Sequence, residues 1–407
     1  MGLDEAITKY HASDKERAEQ LFGEALTKSP TDEDAGWCEL YLGAIAREKG
    51  DLGAALAFLT NALKRSLPLG LRISAHYHAG LVCYARLDSR RAVEYLAEAA
   101  RLAQESPEAS EPDEYAHCLF LLGSSHYELG GYEEALQSLA AAKRLRLEGA
   151  EKDQERQSQI DLLIGWALYR LGRYAEARRS LEEALSAGTR LEPANRSTGG
   201  YYLALCLFED GRPQEAIALL KGVLRDGRDD LELPLRYRAS ACWSLGRMYY
   251  SLENYGDALV WLQRAQSLAD EQLLRAEAIG SFAADCLVEA GQAQEALRYA
   301  KEAYEANPDE AIRAIIFAKV LAVLAEYPQA IALLGAVRAE GLSLWERERL
   351  LAHQCWLFAK VGDRPRYEGC YKALQALKPE SRYLIDPSRT RWLPPPENLR
   401  WPEGGRR

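Results

Sequence analysis

The 407-residue chain has no run of 18 or more consecutive apolar residues, so no segment is expected to cross a bilayer as a helix. Its opening residues, MGLDEAITKYHASDKERAEQ, lack the basic start and apolar stretch of a secretory signal. They also lack Ser or Thr at the sixth position, which N-myristoylation favours. A cytoplasmic location is the expectation. Positive charge is in deficit, with 51 Lys and Arg against 61 Asp and Glu, a net charge of −10. That balance argues against a nonspecific grip on nucleic acid and against adsorption to an anionic membrane. The eight cysteines, Cys38, Cys83, Cys118, Cys206, Cys242, Cys286, Cys355 and Cys370, contain no CxxC pair. Free, mostly buried thiols are expected rather than a zinc or redox motif.

Signatures of catalysis are missing as well. The chain contains no GxxxxGK[ST] phosphate loop, no GxSxG elbow and no HExxH metal helix. Of its six histidines, His76 and His78 stand two apart, so on a helix they point in different directions. Paired carboxylates such as Glu133/Glu134 and Glu182/Glu183 read as solvent faces. The sequence therefore implies no enzyme, no cofactor and no metal.

What the chain does contain is a repeat. Hydrophobic residues make up 48% and charged residues 28%, the balance of a folded protein. The segments LLGSSHYELGGYEEALQSLAAA and LIGWALYRLGRYAEARRSLEEAL share a small residue, then a turn glycine, a Tyr and spaced alanines. One anchor alanine recurs along the chain, at Ala18, Ala55, Ala92, Ala135, Ala177, Ala216, Ala258, Ala296 and Ala330, with Tyr367 in the last copy. The spacings are 37, 37, 43, 42, 39, 42, 38, 34 and 37. Four residues past the anchor, the side chain is mostly apolar: Phe22, Leu59, Leu96, Leu139, Leu181, Leu220, Leu262, Ala300, Leu334 or Tyr371. Seven past it stands Ala, Val or Leu, from Ala25 to Leu374. Offsets of 4 and 7 share one face of an α-helix.

Twelve residues before most anchors stands Gly43, Gly80, Gly123, Gly165, Ala204, Gly246, Ala284, Ala318 or Cys355. A small side chain there lets the first helix of a hairpin approach the second. Five before the anchor, six copies place glycine (Gly50, Gly130, Gly172, Gly211, Gly291 and Gly362), which takes positive φ at a helix end without strain. Leu87, Glu253 and Ala325 replace it in three copies, whose turns are expected to close differently.

On these residues the chain resembles the tetratricopeptide repeat family over residues 1–380, with residues 381–407 as a tail. The family period is about 34 residues. Most copies here are longer, with the surplus after the second helix in QESPEASEPDE and GVLRDGRDDLELP. This resembles the long-repeat subclass of kinesin light chains, spindle-orientation adaptors and bacterial peptide-responsive regulators. The resemblance implies an all-α right-handed superhelix, an α-solenoid of about ten hairpins with a concave inner wall.

In that family the first helix of each hairpin lines the concave side, through repeat positions 2, 5, 9, 12 and 13 with the small residue counted as 8. The positions carry Trp37, Tyr77, Tyr84, Phe120, Tyr127, Trp166, Tyr169, Tyr201, Phe208, Trp243, Tyr250 and Trp356. Aromatics in a groove anchor peptides, although the family also uses aromatics at positions 5 and 12 to pack neighbouring hairpins. Beside them stand His117, Arg170, Glu209, Arg247, Asp285, Lys319 and Lys360. Position 6 offers no Asn, unlike the co-chaperone repeats that clamp a terminal carboxylate.

After Leu377 the pattern stops. Residues 381–407 hold five prolines and six Arg against three acids, about +3, leaving about −13 for the rest. An extended tail is expected, and its segment WLPPPENLRWP is a candidate occupant of an acidic, aromatic groove, in its own chain or a neighbour's. The function implied is an intracellular scaffold or adaptor that binds a protein or peptide partner. The alternative is a ligand- or peptide-responsive sensor acting through a partner chain.

Overall fold

The fold was analysed in a computed structural model that describes residues 2–28, 31–146, 153–186, 191–225, 233–268, 276–385, 393–399 and 401. Among these residues all regular structure is helical. Two compact units divide the chain, Met1–Arg212 and Pro213–Arg407.

The first unit holds α1 (Gly2–His11), α2 (Lys15–Thr27), α3 (Asp32–Glu48), α4 (Leu52–Ala62), α5 (Leu69–Ala85), α6 (Ser89–Glu105), α7 (Pro112–Glu128), α8 (Tyr132–Arg146), α9 (Asp153–Arg170), α10 (Tyr174–Ser186) and α11 (Pro193–Glu209). The second holds α12 (Pro213–Arg225), α13 (Leu235–Ser251), α14 (Tyr255–Leu268), α15 (Ala276–Glu289), α16 (Ala293–Ala306), α17 (Ala311–Val323), α18 (Tyr327–Ala336), α19 (Leu344–Val361), α20 (Arg364–Leu377) and the short α21 (Arg382–Ile385). Successive helices pack as hairpins, α1 on α2 through α9 on α10 in the first unit and α13 on α14 through α19 on α20 in the second. Within each unit, hairpin then packs on hairpin, as α6 does on α7 and α14 on α15.

The repeat residues are what hold this stack together. All ten anchor side chains, Tyr367 included, are fully buried. Twelve residues upstream, a methyl added to Gly165 would come within 2.6 Å of Leu181, the apolar residue four past the anchor. The same close approach recurs at Gly43, Gly80, Gly123 and Gly246. Those glycines set the spacing between the two helices of a hairpin, and a larger residue would force them apart. Four before the anchor, Asp51, Asp88 and Asp363 accept a hydrogen bond from a backbone N–H in the first turn of the second helix. Each side chain satisfies one of the donors a helix start leaves open.

The three turns without glycine close as the others do, contrary to the expectation from sequence. Leu87, Glu253 and Ala325 take φ of 59°, 62° and 66°, and Ser13 in the first turn takes 63°. Asp88 N–H reaches Cys83 O at 2.9 Å and Glu326 N–H reaches Leu321 O at 2.9 Å, matching Gly131 N–H to His126 O at 2.9 Å in a glycine turn. Packing of the two helices dictates the turn, and the side chain bears the strain of a left-handed backbone. Leu87 is 89% exposed, so it loses little packing if removed. Leu87→Gly is expected to stabilise the protein by about 0.5–1 kcal/mol, read by urea unfolding. A destabilised variant would show that the leucine is held there by contacts.

The surplus QESPEASEPDE forms a 3-10 turn at Pro107–Ala109 before α7, while most of GVLRDGRDDLELP lies outside the described residues. The tail is less extended than expected. Arg382–Ile385 is a helical turn and Pro396–Asn398 a 3-10 turn. Leu393 is buried against the α19–α20 hairpin in a cluster with Cys355, Tyr367, Leu374 and Tyr383, and Leu399 and Trp401 pack on it. Tyr367 Oη donates to Pro394 O at 2.6 Å, and its ring meets Trp401 edge-on at 5.3 Å. The last anchor is therefore a tyrosine with a partner, where the other copies have alanine. Trp392 lies outside the described residues.

Candidate functional site

Within each unit, first helices pack directly on the first helices of neighbouring hairpins, α3 on α5, α5 on α7, α7 on α9 and α9 on α11, then α13 on α15, α15 on α17 and α17 on α19. No pair of second helices is packed comparably among the described residues. The stack is shorter on the side of the first helices, which makes that side the inner one. The candidate aromatics lie on these helices by construction of the repeat.

In the first unit they form a ladder from hairpin to hairpin. Tyr77 Oη on α5 hydrogen-bonds His117 Nδ1 on α7 at 2.7 Å, and Tyr84 Oη pairs with Ser124 Oγ at 3.1 Å. Burial pushes the Tyr77 phenol up to about 12, so it carries its proton at neutral pH. Phe120 stacks on His117 at 6.1 Å, and the two line a hollow of about 40 Å3 with Arg156, Gln159 and Ile160. Trp37 stacks on Tyr41 at 6.1 Å. All of these except the exposed Arg156 are half-buried or, like Ser124 and Ile160, buried.

Further along, rings from three helices converge on Tyr202 of α11. Trp166 and Tyr169 of α9 lie 5.7 and 5.4 Å from it, and Tyr201 5.3 Å. Tyr127 of α7 reaches the Tyr202 hydroxyl at 3.3 Å. The sequence reading placed Tyr202 at position 6, outside the inward set, and so missed the hub. Its neighbours at position 6, Leu121 and Leu163, give no aromatic signal to extend. Trp166 Nε1 is a buried donor without a hydrogen-bond partner, an exception to the rule that buried polar groups are paired. His78, also at position 6, is pushed down to about 4 by burial, with Arg47 adding to the effect, and is neutral at pH 7.

The second unit differs. Trp243 and Tyr250 of α13 meet Phe282 of α15 edge-on at 5.2 and 5.3 Å. Tyr250, like Tyr201, is buried at 8% exposure, and Phe208, Trp243 and Trp356 are half-buried. Trp356 carries Lys360 over its ring at 5.5 Å. Around Tyr250 the wall is filled by charge. Asp285 accepts from Lys319 of α17, from the Tyr250 hydroxyl and from Arg349 Nη2 of α19, the last at 2.7 Å. Lys319 also donates to Glu289 at 2.7 Å, and Arg349 Nη1 donates to Tyr250 Oη. Asp285, Lys319 and Arg349 are 1–4% exposed. Burial alone would raise the Asp285 carboxyl, but Lys319 and Arg349 outweigh it and hold it well below the usual carboxylate range. Arg349 completes the site 5.0 Å from the Trp345 ring centre. Sequence placed Asp285 and Lys319 beside the aromatics without pairing them.

Other polar candidates are dispersed. Arg170 lies over the Tyr132 ring at 5.0 Å, and Glu209 and Arg247 are exposed. Among the described residues no three His, Cys, Asp or Glu side chains could hold a metal together, and no helix is long and apolar enough to cross a membrane.

Residues 162–230, from α9 through α12, match the family model of the tetratricopeptide repeat. That stretch is a tetratricopeptide repeat segment. The matched stretch carries the anchors Ala177 and Ala216, and the same anchor recurs buried in the other hairpins of this repeat protein. It is similar to the apo form of the quorum sensor NprR from B. thuringiensis, at 16% identity over 92% of this chain and 97% of that chain, with a TM-score of 0.43. It is also similar to YrrB, described as a TPR protein with an unusual peptide-binding site, at 17% identity over 52% and 94% of the two chains, with a TM-score of 0.40. PilF of Pseudomonas aeruginosa is similar at 17% identity over 56% and 95%, with a TM-score of 0.42. No curated protein matches the chain in sequence.

Proposed function

We propose that this repeat protein is a scaffold that binds an extended segment of a partner protein along the inner wall of its first unit. The observation that carries the reading is the ladder of half-buried rings from Trp37 through Tyr77, Tyr84, Phe120 and Tyr127 to Trp166 and Tyr169. The Tyr77, Tyr84 and Tyr127 hydroxyls are paired within the wall, which fixes those rings and lowers the entropy cost of using them as anchors. An extended peptide brings backbone carbonyls to such a wall, and the unpaired Trp166 Nε1–H can donate to one after a small shift. In this reading residues 1–380 form the repeat array, with the binding wall in its first unit, and residues 381–407 form a tail that follows it. The second unit's wall, filled by Asp285, Lys319 and Arg349, contributes rigidity rather than contact.

The test is a peptide-display selection on the full-length chain. Selected peptides are expected to lose about tenfold or more in affinity for a Trp37→Ala, Trp166→Phe variant, a change of about 1.4 kcal/mol. Circular dichroism checks that the variant keeps its helix content. Peptides that bind this variant as well as the parent would remove the inner wall as the site.

A further inference from the structure

A second hollow lies in the second unit, away from the inner wall. The second helices α14, α16 and α20 each run 14 residues, but α18 stops after 10. Val337 holds the slot seven past its anchor, which is helical in α16, yet its backbone is extended (φ −69°, ψ 119°). The chain then turns back to α19 through Gly341 at φ +84°. The missing helical turn leaves a cleft of about 780 Å3 between the end of α16, the start of α17, the end of α18 and the start of α19. Pockets that bind ligands typically measure about 300–1,000 Å3.

Its floor is apolar and its rim is acidic. Tyr304, Ala311, Leu333 and Val337 line the floor, half-buried. Helix α17 contributes Ala311 and Ala314, positions 1 and 4 of its repeat, neither of which belongs to the inward set. Four acids border the cleft, Asp309, Glu310, Glu340 and Glu346, against one cation, Arg338. Two of the four are committed: Glu310 pairs with the buried Arg313 at 2.7 Å, and Glu346 closes a capping box with Ser343. Asp309 and Glu340 stand exposed at the mouth.

We propose that this cleft is a docking site for a short basic amphipathic peptide segment of a partner protein. Its apolar side chains take the place of the absent turn of α18, and its Lys or Arg side chains face Asp309 and Glu340. Charge complementarity selects the occupant: an acidic segment would meet repulsion at the mouth, and a purely apolar one would leave both carboxylates uncompensated. The site is independent of the one on the inner wall.

The experiment is a peptide-display selection on the full-length chain, with clones compared on three variants. Ala336→Trp fills the cleft from an exposed position, Asp309→Lys with Glu340→Lys reverses its rim, and Trp37→Ala with Trp166→Phe alters the inner wall. A class of peptides rich in Lys or Arg and large apolar residues is expected. Its affinity should fall about tenfold or more on each of the first two variants and stay unchanged on the third, and it should weaken as salt is raised. Two results would overturn the proposal: no class sensitive to Ala336→Trp, or a sensitive class that is acidic. Peptides lost only on the inner-wall variant would leave the scaffold reading standing while this one falls. Circular dichroism and the melting temperature confirm that each variant is folded.

Discussion

Replacing Asp285 by asparagine is expected to destabilise the protein by about 3–5 kcal/mol, the cost of removing one partner from a buried ion pair. Lys319 keeps Glu289, so the loss falls mainly on Arg349, which is left buried with the Tyr250 hydroxyl as its remaining partner in the cluster. Urea unfolding at neutral pH measures the change, and a loss below about 1 kcal/mol would mean that water replaces the carboxylate. The pH dependence gives a second reading. The folded carboxyl titrates below its ordinary range, so its contribution is complete above the unfolded value of about 3.9. It drains away as the pH falls from there toward the folded value. The wild type should lose this part of its stability in acid, and Asp285→Asn should not have it to lose.

Ala177→Glu is expected to cost about 3–5 kcal/mol by a different route. Ala177 is fully buried in α10 beside Leu181, and Gly165 of α9 leaves no room across the contact. The glutamate brings volume and an unpaired carboxylate together into a helix–helix seam. A control at Ala57, exposed on α4, should stay within about 0.5 kcal/mol of the parent. Thermal melts of the two variants decide the matter: equal melting temperatures would mean that the anchor slot is not what holds the hairpins together.

The anchors and the facing glycines could be read from the sequence because each acts within one hairpin, at fixed offsets, and the aspartate caps, which the reading passed over, sit at a fixed offset too. Leu87, Glu253 and Ala325 misled the reading for the converse reason. Glycine preference is a local signal, and the packing of two long helices overrode it at about 1 kcal/mol per turn. The first unit's ladder was half legible. Repeat positions gave Tyr77, Tyr84, Tyr127 and Trp166, but Tyr202 became their hub through ring contacts between hairpins, which no offset encodes. The Asp285 cluster was the least legible part. Arg349 stands 64 residues from Asp285 and 99 from Tyr250, and their meeting depends on how sharply successive hairpins turn. The tail's docking rests on Leu393 and Tyr367, one apolar residue among prolines and one tyrosine in an alanine slot.

A row of hairpins that touch only their neighbours comes apart like a zipper, fraying from an end one tooth at a time. The bond from Arg349 to Tyr250 spans 99 residues and clips two distant teeth of the second unit together. Helices α13 through α19 are thereby closed into a loop, and fraying that starts at the chain's end halts at α19 until the clip is broken. Once it breaks, the element contacts of α15 and α17 among the described residues are those with adjacent hairpins, and the segment opens as one block. The second unit gains an all-or-none character that its repeat architecture alone would not give it.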